Sequence, residues 1–327
     1  MHLSIIIVNF NTVDVTTNCL SSLATHLDEK IDYEIVLVDN APKTNNEETF
    51  RKVISNLIYI RSNINVGFGR ANNIGMDRAN GRYYLLLNSD TIILDASIQR
   101  CLAFMDKVEN SSIGLLGCKL LNEDGSYQAS FYPFVKNNLF NYFISNNPIL
   151  HRLFSVSKAY QEPFEYRKVG DISGASMLLR REVYEKLNGF DPDFFLYCEE
   201  TEWCRNRISK HYDIVYYPEA AIVHLGGKSA PGNLMFIQSQ LSLGLYWYKS
   251  GMSNYVSYIL YNYFNAIFFL FQYPFSNSQG RSNIKKFLRT LVNIQKYLYF
   301  DIPRYNPRFN SRPEPVLLEE AKKIYFQ

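Results

Sequence analysis

The sequence predicts an α/β protein built on a mostly parallel central sheet, with a helical, aromatic-rich appendage at its C-terminal end. Three observations carry this. Short apolar runs alternate with segments of helical spacing through the first third of the chain, the pattern of parallel strands joined by right-handed crossovers. Most of those runs close on Asn or Asp. From Ser250 to Gly280 there is no charged residue at all. A length of 327 residues suffices for a full core plus an appendage, and an apolar share of 47% is ordinary for a globular chain.

Leu3-Ser-Ile-Ile-Ile-Val runs into Asn9-Phe10-Asn11 and reads as a strand buried on both faces. Thr12 to Leu27 has apolar residues near helical spacing. Tyr33-Glu-Ile-Val-Leu-Val is a second buried strand, closing on Asp39-Asn40. Leu57 to Arg61 is a short third, and Tyr83-Tyr-Leu-Leu-Leu a fourth, closing on Asn88-Ser89-Asp90. In open α/β sheets ligands bind outside the carboxyl ends of the strands. Asn9, Asn11, Asp39, Asn88 and Asp90 therefore mark a binding edge.

A net charge of +3, with no basic block interleaved with aromatics in the first two thirds, argues against a nucleic-acid partner. Cysteines 19, 101, 118, 198 and 204 stand at no metal-ligand spacing and read as free thiols of a cytosolic protein. The apolar run at Ser4–Val8 is a strand core rather than a secretory leader.

Four motifs carry chemistry. Asn88-Ser89-Asp90 ends a buried strand, where an acid can share a divalent cation with substrate phosphates, although Asn, Ser and Asp equally suit a turn or a cap. Asn63-Ile-Asn65-Val-Gly67-Phe-Gly69-Arg70-Ala-Asn72-Asn73-Ile-Gly75 offers glycines for close backbone approach and Arg70 as a forked donor for phosphate, with Asn72 and Asn73 expected on the first turn of the following helix. It lacks dinucleotide-fingerprint spacing. His224 ends a strand and precedes Gly226-Gly-Lys228-Ser, a plausible phosphate-gripping loop. Glu199, Glu200 and Glu202 follow an aromatic run, where a carboxylate is costly to bury unless paired or used, and where it can be tuned as a general base. Asp124-Gly125 reads as a hairpin turn without chemistry.

In order along the chain, Val-Asn-Phe-Asn-Thr, Val-Asp-Asn, Asn-Val-Gly-Phe-Gly-Arg-Ala-Asn-Asn-Ile-Gly, Leu-Leu-Asn-Ser-Asp, Ser-Gly-Ala-Ser-Met-Leu-Leu-Arg-Arg, Gly-Phe-Asp-Pro-Asp-Phe-Phe-Leu-Tyr, Glu-Glu-Thr-Glu-Trp-Cys and His-Leu-Gly-Gly-Lys-Ser resemble the inverting GT-A glycosyltransferases of family 2, and most of all their bacterial rhamnosyltransferase-like branch. The resemblance covers roughly residues 1 to 250. It implies a GT-A catalytic domain over 1–235, with a nucleotide-binding half at 1–95 and an acceptor half at 96–235, followed by a helical region at 236–327. The implied activity moves rhamnose or another hexose from a dTDP- or UDP-sugar to a lipid-linked or oligosaccharide acceptor of a surface polysaccharide.

The resemblance also assigns roles. Val8, Phe10 and Asn11 would flank the base, and Asp39 would bind base or ribose. Asn65, Gly67, Arg70 and Asn72 would lie by the ribose and diphosphate. Asn88-Ser89-Asp90 matches the Asp-x-Asp motif, with Asp90 and His224 holding Mg²⁺ or Mn²⁺. Gly174 would line the sugar pocket, Lys228 would reach the donor, and Glu200 would be the base. Two positions depart from the family pattern. Asn88 replaces the first acid, and Glu199-Glu200 replaces Glu-Asp. An added methylene shifts a carboxylate by about one bond, on the scale of 1 Å to which catalysis is sensitive. Either Glu200 is the base on a shifted backbone or Glu199 is recruited; Glu200 is favoured.

The uncharged Tyr255–Phe275 stretch has the length of a spanning helix but is too polar and Tyr-rich for one. With Arg281, Lys285, Lys286 and Arg289 beside Ile284, Phe287, Leu288 and Leu291, it suits a helix pair on an anionic membrane surface at the cytoplasmic face. The alternative is a helical pair packed on the catalytic domain or forming a homodimer. From Asp301 the Pro-rich tail reads as an extended strap and then a helix over Val316–Tyr325. Two other functions stay open. A nucleotidyltransferase ranks low, because Asn9-Phe-Asn-Thr-Val-Asp has no Gly or Lys after the first strand. A non-catalytic scaffold or sugar-binding relative is the second.

Overall fold

β1 (Leu3–Asn9) is apolar on both faces because both faces are covered. Ile5 and Ile7 point into one core with Ile35, Leu37, Leu85 and Leu87. Ile6, one residue out of phase, points into a second with Val36, Tyr84, Leu86 and Met177. The computed structural model describes residues 1–40, 45–132, 164–226 and 232–278, together with 280–282, 284, 285 and 288. The strap and helix expected beyond Asp301, and Lys286, Phe287, Arg289 and Leu291, lie outside the described residues.

α1 (Val13–His26), β2 (Tyr33–Asn40), α2 (Glu47–Arg51), β3 (Ile58–Ser62), α3 (Phe68–Arg78) and β4 (Tyr83–Asn88) follow. β1 pairs in parallel with β2 and β4, and β2 with β3. Register does the work that matters for the site. It sets Asn9 beside Asp39, Val8 beside Asn88, and Asn40 beside Ser62. The polar strand ends thus form one edge.

β5 (Thr91–Ile93), α4 (Ser97–Asp106), β6 (Ile113–Leu121), β7 (Tyr127–Gln128), β8 (Phe131–Tyr132), β9 (Arg167–Lys168), β10 (Asp171–Ile172), β11 (Ser176–Arg180), α5 (Arg181–Leu187), α6 (Glu199–Glu202) and β12 (Asp213–His224) complete the sheet-bearing unit. The main sheet runs β3-β2-β1-β4-β11-β6-β12-β5, with β7 on β6 and β9 on β12, while β8 and β10 pair separately. β11 is antiparallel to both β4 and β6, so the sheet is mixed. The fold is GT-A, as the resemblance implied.

β12 carries a bulge. Tyr217 pairs with Cys118, yet Ala221 pairs with the very next residue, Lys119. The extra residues are pinned by α4, whose Arg100 donates to the Glu219 carbonyl at 2.9 Å and whose Ser97 hydroxyl donates to the Ala221 carbonyl at 2.8 Å. Past the bulge, His224 pairs with Thr91 of β5.

The chain divides into two compact units. The first holds Met1–Phe134, Gln161–Phe195 and Glu199–Ala230, and the second holds Val135–Tyr160, Leu196–Cys198 and Pro231–Gln327. In the second, α7 (Gly232–Lys249) and α8 (Met252–Gln272) meet at Gly251, whose φ of 119° suits only glycine. Trp247 stacks on Tyr258 with ring centroids 6.4 Å apart, and Tyr248 meets Tyr255 edge-on at 5.5 Å. α8 is sorted inside out. Tyr255, Tyr258, Tyr261, Asn262 and Asn265 are buried, while Val256, Leu260, Phe264, Ile267 and Phe271 are exposed. No helix among the described residues is long and apolar enough to cross a membrane.

Candidate active site

Val8 and Phe10 are partly exposed where β1 emerges, and Asn11 is exposed with φ of 54°, a left-handed conformation that Asn tolerates. Beneath them Asp39 is fully buried. Its Oδ1 accepts from Asn9 at 2.7 Å, and its Oδ2 accepts from Asn46 at 3.1 Å and from the Tyr59 hydroxyl at 2.6 Å. That carboxylate organises the floor of the edge. The Tyr59 hydroxyl is driven above its ordinary range by burial and by Asp39. Asn46 and Tyr59 gave no signal in the sequence, because a polar residue far along the chain acquires meaning only when the register brings it close.

The Asn65–Asn73 segment makes a set of contacts within the protein. Asn65 Oδ1 accepts from Asn40 at 2.9 Å and from the Gly67 amide at 3.0 Å. Gly67 (φ 87°) approaches protein: a Cβ there would lie 2.4 Å from the Phe195 carbonyl oxygen, and the Phe68 amide donates to that oxygen at 2.8 Å. Helix α3 starts at Phe68, so Asn72 and Asn73 lie in its second turn and not its first. Asn72 is buried and donates to the Phe68 carbonyl, while Asn73 clamps the Phe190 backbone from both sides at 2.8 Å. Arg70 gives its Nε to the Pro192 carbonyl at 2.5 Å, leaving the guanidinium tip partly exposed. The two motifs around residues 65–73 and 189–195 are therefore zipped to each other.

Asn88, Ser89 and Asp90 are all partly exposed. The β5–β12 pairing brings His224 to them: its Nε2 lies 3.3 Å from Asp90 Oδ1 and 3.3 Å from Asn88 Nδ2. Asn88 Oδ1 is buried without a hydrogen-bond partner. Among the described residues no three His, Cys, Asp or Glu gather as a metal cage. A Mg²⁺-like ion needs no such cage, since it takes one or two carboxylates plus substrate phosphates, and two ligands of an octahedral ion stand about 3 Å apart. A carboxylate and an imidazole nitrogen 3.3 Å apart, next to an amide whose oxygen has no partner, fit such an ion. Lys228 lies outside the described residues, as do Gly227 and Ser229 of the same loop.

Glu199 and Glu200 open α6 directly after Tyr197 (φ 72°) and Cys198 (φ 66°), two consecutive non-glycine residues in the left-handed region. Such backbone is costly and collects at functional sites. The helix is tied to β10: the Thr201 hydroxyl donates to Asp171 at 3.0 Å, and Arg205 donates to it at 2.9 and 2.6 Å. Burial pushes Asp171 up against the pull of Arg205. Glu202 is spent on Arg207 at 2.6 Å, and Arg207 also donates to the Leu187 and Gly189 carbonyls. The third acid of the cluster is thus structural.

The remaining two acids differ. Glu199 is 2% exposed, its Oε2 has no partner, and burial followed by the Glu200 charge pushes it well above the carboxylate range. Glu200 is partly exposed, and burial, with a further push from Asp171, raises it to about 7. A Cβ at Gly174 would sit 3.9 Å from its carboxyl carbon and 3.6 Å from the Phe68 ring, ordinary contact distances, so Gly174 borders the Glu200 carboxyl.

Residues 4–188 match the family model for glycosyl transferase family 2. The chain belongs to that family. A poly(ribitol-phosphate) beta-glucosyltransferase of Bacillus spizizenii is 30% identical to this family 2 chain over 135 residues, 40% of this chain and 21% of that protein. The low-salt glycan biosynthesis hexosyltransferase Agl10 of Haloferax volcanii is 26% identical over 210 residues, 62% of this chain and 60% of that protein. The chain thus spans only part of each of these relatives. The mannosyltransferase PcManGT of Pyrobaculum calidifontis, solved with GDP-Man and Mn²⁺, superposes with a TM-score of 0.56 at 12% identity, covering 98% of this chain and 86% of that one. At that identity the likeness speaks for the fold.

Proposed function

We propose that this family 2 chain is an inverting glycosyltransferase that moves a hexose, such as rhamnose, from a nucleoside diphosphate sugar to a lipid-linked or oligosaccharide acceptor in surface-polysaccharide synthesis. The observation that carries the reading is the presence of two unlike stations in one unit: an Asn88-Asp90-His224 cluster that suits a diphosphate-bound cation, and Glu200, poised to ionise near neutral pH, beside Gly174.

The nucleoside would lie over Val8, Phe10 and Asn11, with Asp39, Asn46 and Tyr59 stiffening the floor below. The Arg70 tip and Ser89 would meet the diphosphate, and Lys228 is proposed to close on it. Asp90, His224 and the Asn88 amide oxygen would hold Mg²⁺ or Mn²⁺, which when bound supplies Lewis-acid stabilisation of the leaving diphosphate. Glu200 accepts the acceptor hydroxyl's proton as that oxygen attacks the anomeric carbon. Attack opposite the leaving group inverts the centre without a covalent sugar–enzyme intermediate. Glu199, whose carboxyl burial pushes well above the carboxylate range, serves the packing beneath. The exposed face of α8 is proposed to meet the lipid on which the acceptor is carried, at the cytoplasmic face of the membrane; vesicle flotation tests that part of the reading, and a homodimer on the same face is the competing outcome.

Purified protein with Mn²⁺ or Mg²⁺ against a panel of dTDP-, UDP- and GDP-sugars tests the reading through nucleoside diphosphate release and thermal shift. Metal-dependent release from one donor supports a transferase and names its sugar. A shift without release calls for a lipid-linked glycan as acceptor. Neither shift nor release with any donor would favour a non-catalytic relative.

A further inference from the structure

The Asp124-Gly125 hairpin between β6 and β7 has no place in the chemistry above, yet a directed chain of hydrogen bonds runs from it to the proposed cation site. Asp124 is a carboxylate held below its ordinary range by Ser126, so it accepts only. The Ser126 hydroxyl donates to Asp124 Oδ1 at 2.6 Å. Having spent its proton, that oxygen accepts from Asn122 Nδ2 at 2.9 Å. Asn122 must then present Oδ1 to Gln128, which donates Nε2 to it at 2.9 Å. The same Nε2 donates to the His224 carbonyl oxygen at 3.2 Å, an acceptor without alternatives. Gln128 cannot flip its amide without facing oxygen to oxygen twice. Its Oε1 therefore meets His224 Nδ1 at 2.7 Å, and Nδ1 carries the ring proton.

We propose that Gln128 is a positioning residue: it holds His224 in the Nδ1–H tautomer, so that the Nε2 lone pair is delivered to the Asp90 side as a ligand for a divalent cation. This rests on the metal reading of Asp90 and His224. An imidazole left free to choose would turn its Nε2–H toward the Asp90 carboxylate 3.3 Å away, forming a hydrogen bond in the very place a cation has to occupy. A metal-bound His commonly gives its other N–H to an oxygen acceptor, which fixes ring and tautomer. Here a glutamine does this, and its orientation is set in turn by residues 122–126. The hairpin register places it: Gln128 pairs with Leu120 and Tyr127 with Leu121, so β7 stops where its side chain reaches His224.

The test uses the full chain labelled with ¹⁵N-histidine, metal-free and at mildly alkaline pH, where imidazole is neutral. The nitrogen shifts of His224 report the tautomer, and Mn²⁺ binding is followed separately by electron paramagnetic resonance. Wild type is expected to show Nδ1–H. Gln128→Met keeps the length but removes the acceptor; it is expected to shift the ring toward Nε2–H and weaken Mn²⁺ by about 10- to 100-fold. Gln128→Glu keeps an acceptor and is expected to hold the Nδ1–H form. Ser126→Ala, exposed on the hairpin and harmless to the core, breaks the chain upstream and is expected to give a smaller shift in the same direction, should Gln128→Met unfold. An Nε2–H ring in wild type, or an unchanged tautomer in both Gln128→Met and Ser126→Ala, would overturn the proposal. If wild type binds no Mn²⁺, the metal reading fails, while the tautomer comparison still decides whether Gln128 sets the ring.

Discussion

Ile6 on β1 and Ile267 on α8 are the same side chain in opposite surroundings. Ile6 is fully buried and Ile267 is 54% exposed. The contrast extends to their neighbours. In the sheet unit apolar groups fill two cores and polar groups gather at the strand ends, whereas in α8 the amides and tyrosines are inside and the aliphatic and phenyl groups outside. A large exposed apolar patch signals an interaction surface. The comparison separates two kinds of surface: one unit presents ionisable groups, the other presents an apolar face.

The sharpest test of the first half is Glu200→Gln. We expect transfer to fall by about 10²- to 10⁴-fold, the ordinary weight of a general base, with donor binding by thermal shift retained. Unaltered turnover would remove Glu200 from the mechanism. Next, Leu86→Ala and Leu260→Ala make the same deletion in the two units. Leu86 is 1% exposed and should cost about 2–5 kcal/mol. Leu260 is 63% exposed and should stay within about 0.5 kcal/mol, while a Leu260→Ser, Ile267→Ser pair should abolish flotation with anionic vesicles. Equal losses of stability in urea titrations would erase the contrast between the units.

Smaller effects concern pH. Glu200 titrates at about 7, and only its ionised form accepts a proton. The rate should therefore rise with pH through that value and fall about tenfold per unit well below it; a flat profile would count against the assignment. Glu199 has a folded pKa well above that of the unfolded chain. Between the two values the folded state holds more protons, so this group lowers stability as pH rises through that window. Glu199→Gln removes the penalty and should melt higher than wild type at alkaline pH, with activity little changed. A lower melting temperature there would mean that Glu199 is ionised in the fold.

Much of this was legible in the sequence, for identifiable reasons. The strands β1 to β4 show as apolar runs because they are buried on both faces, and Asn9, Asp39 and Asn88 stand out because polar residues interrupt those runs at one end. The order of motifs marked the family. Less visible was which polar residues point inward. Gly67, Asn72 and Glu202 look like ligand-facing residues in one dimension, yet each is engaged by protein: Gly67 packs on Phe195 far along the chain, while Asn72 bonds within its own helix and Glu202 pairs with nearby Arg207. Gln128 was invisible, since its meaning depends on a hairpin register and on the amides of its neighbours.

The bulge in β12 has a consequence of its own. A strand has a phase, and side chains alternate between its faces with every residue. Tyr217 to Ala221 spans four steps against a single step of β6, an odd surplus that reverses the phase. His224 therefore faces Asp90 because of three residues that pair with nothing. Exchanging the exposed Glu219 for another residue should leave the imidazole where it is, whereas removing one residue of that stretch turns it to the other side of the sheet. For this site, counting residues matters more than choosing them.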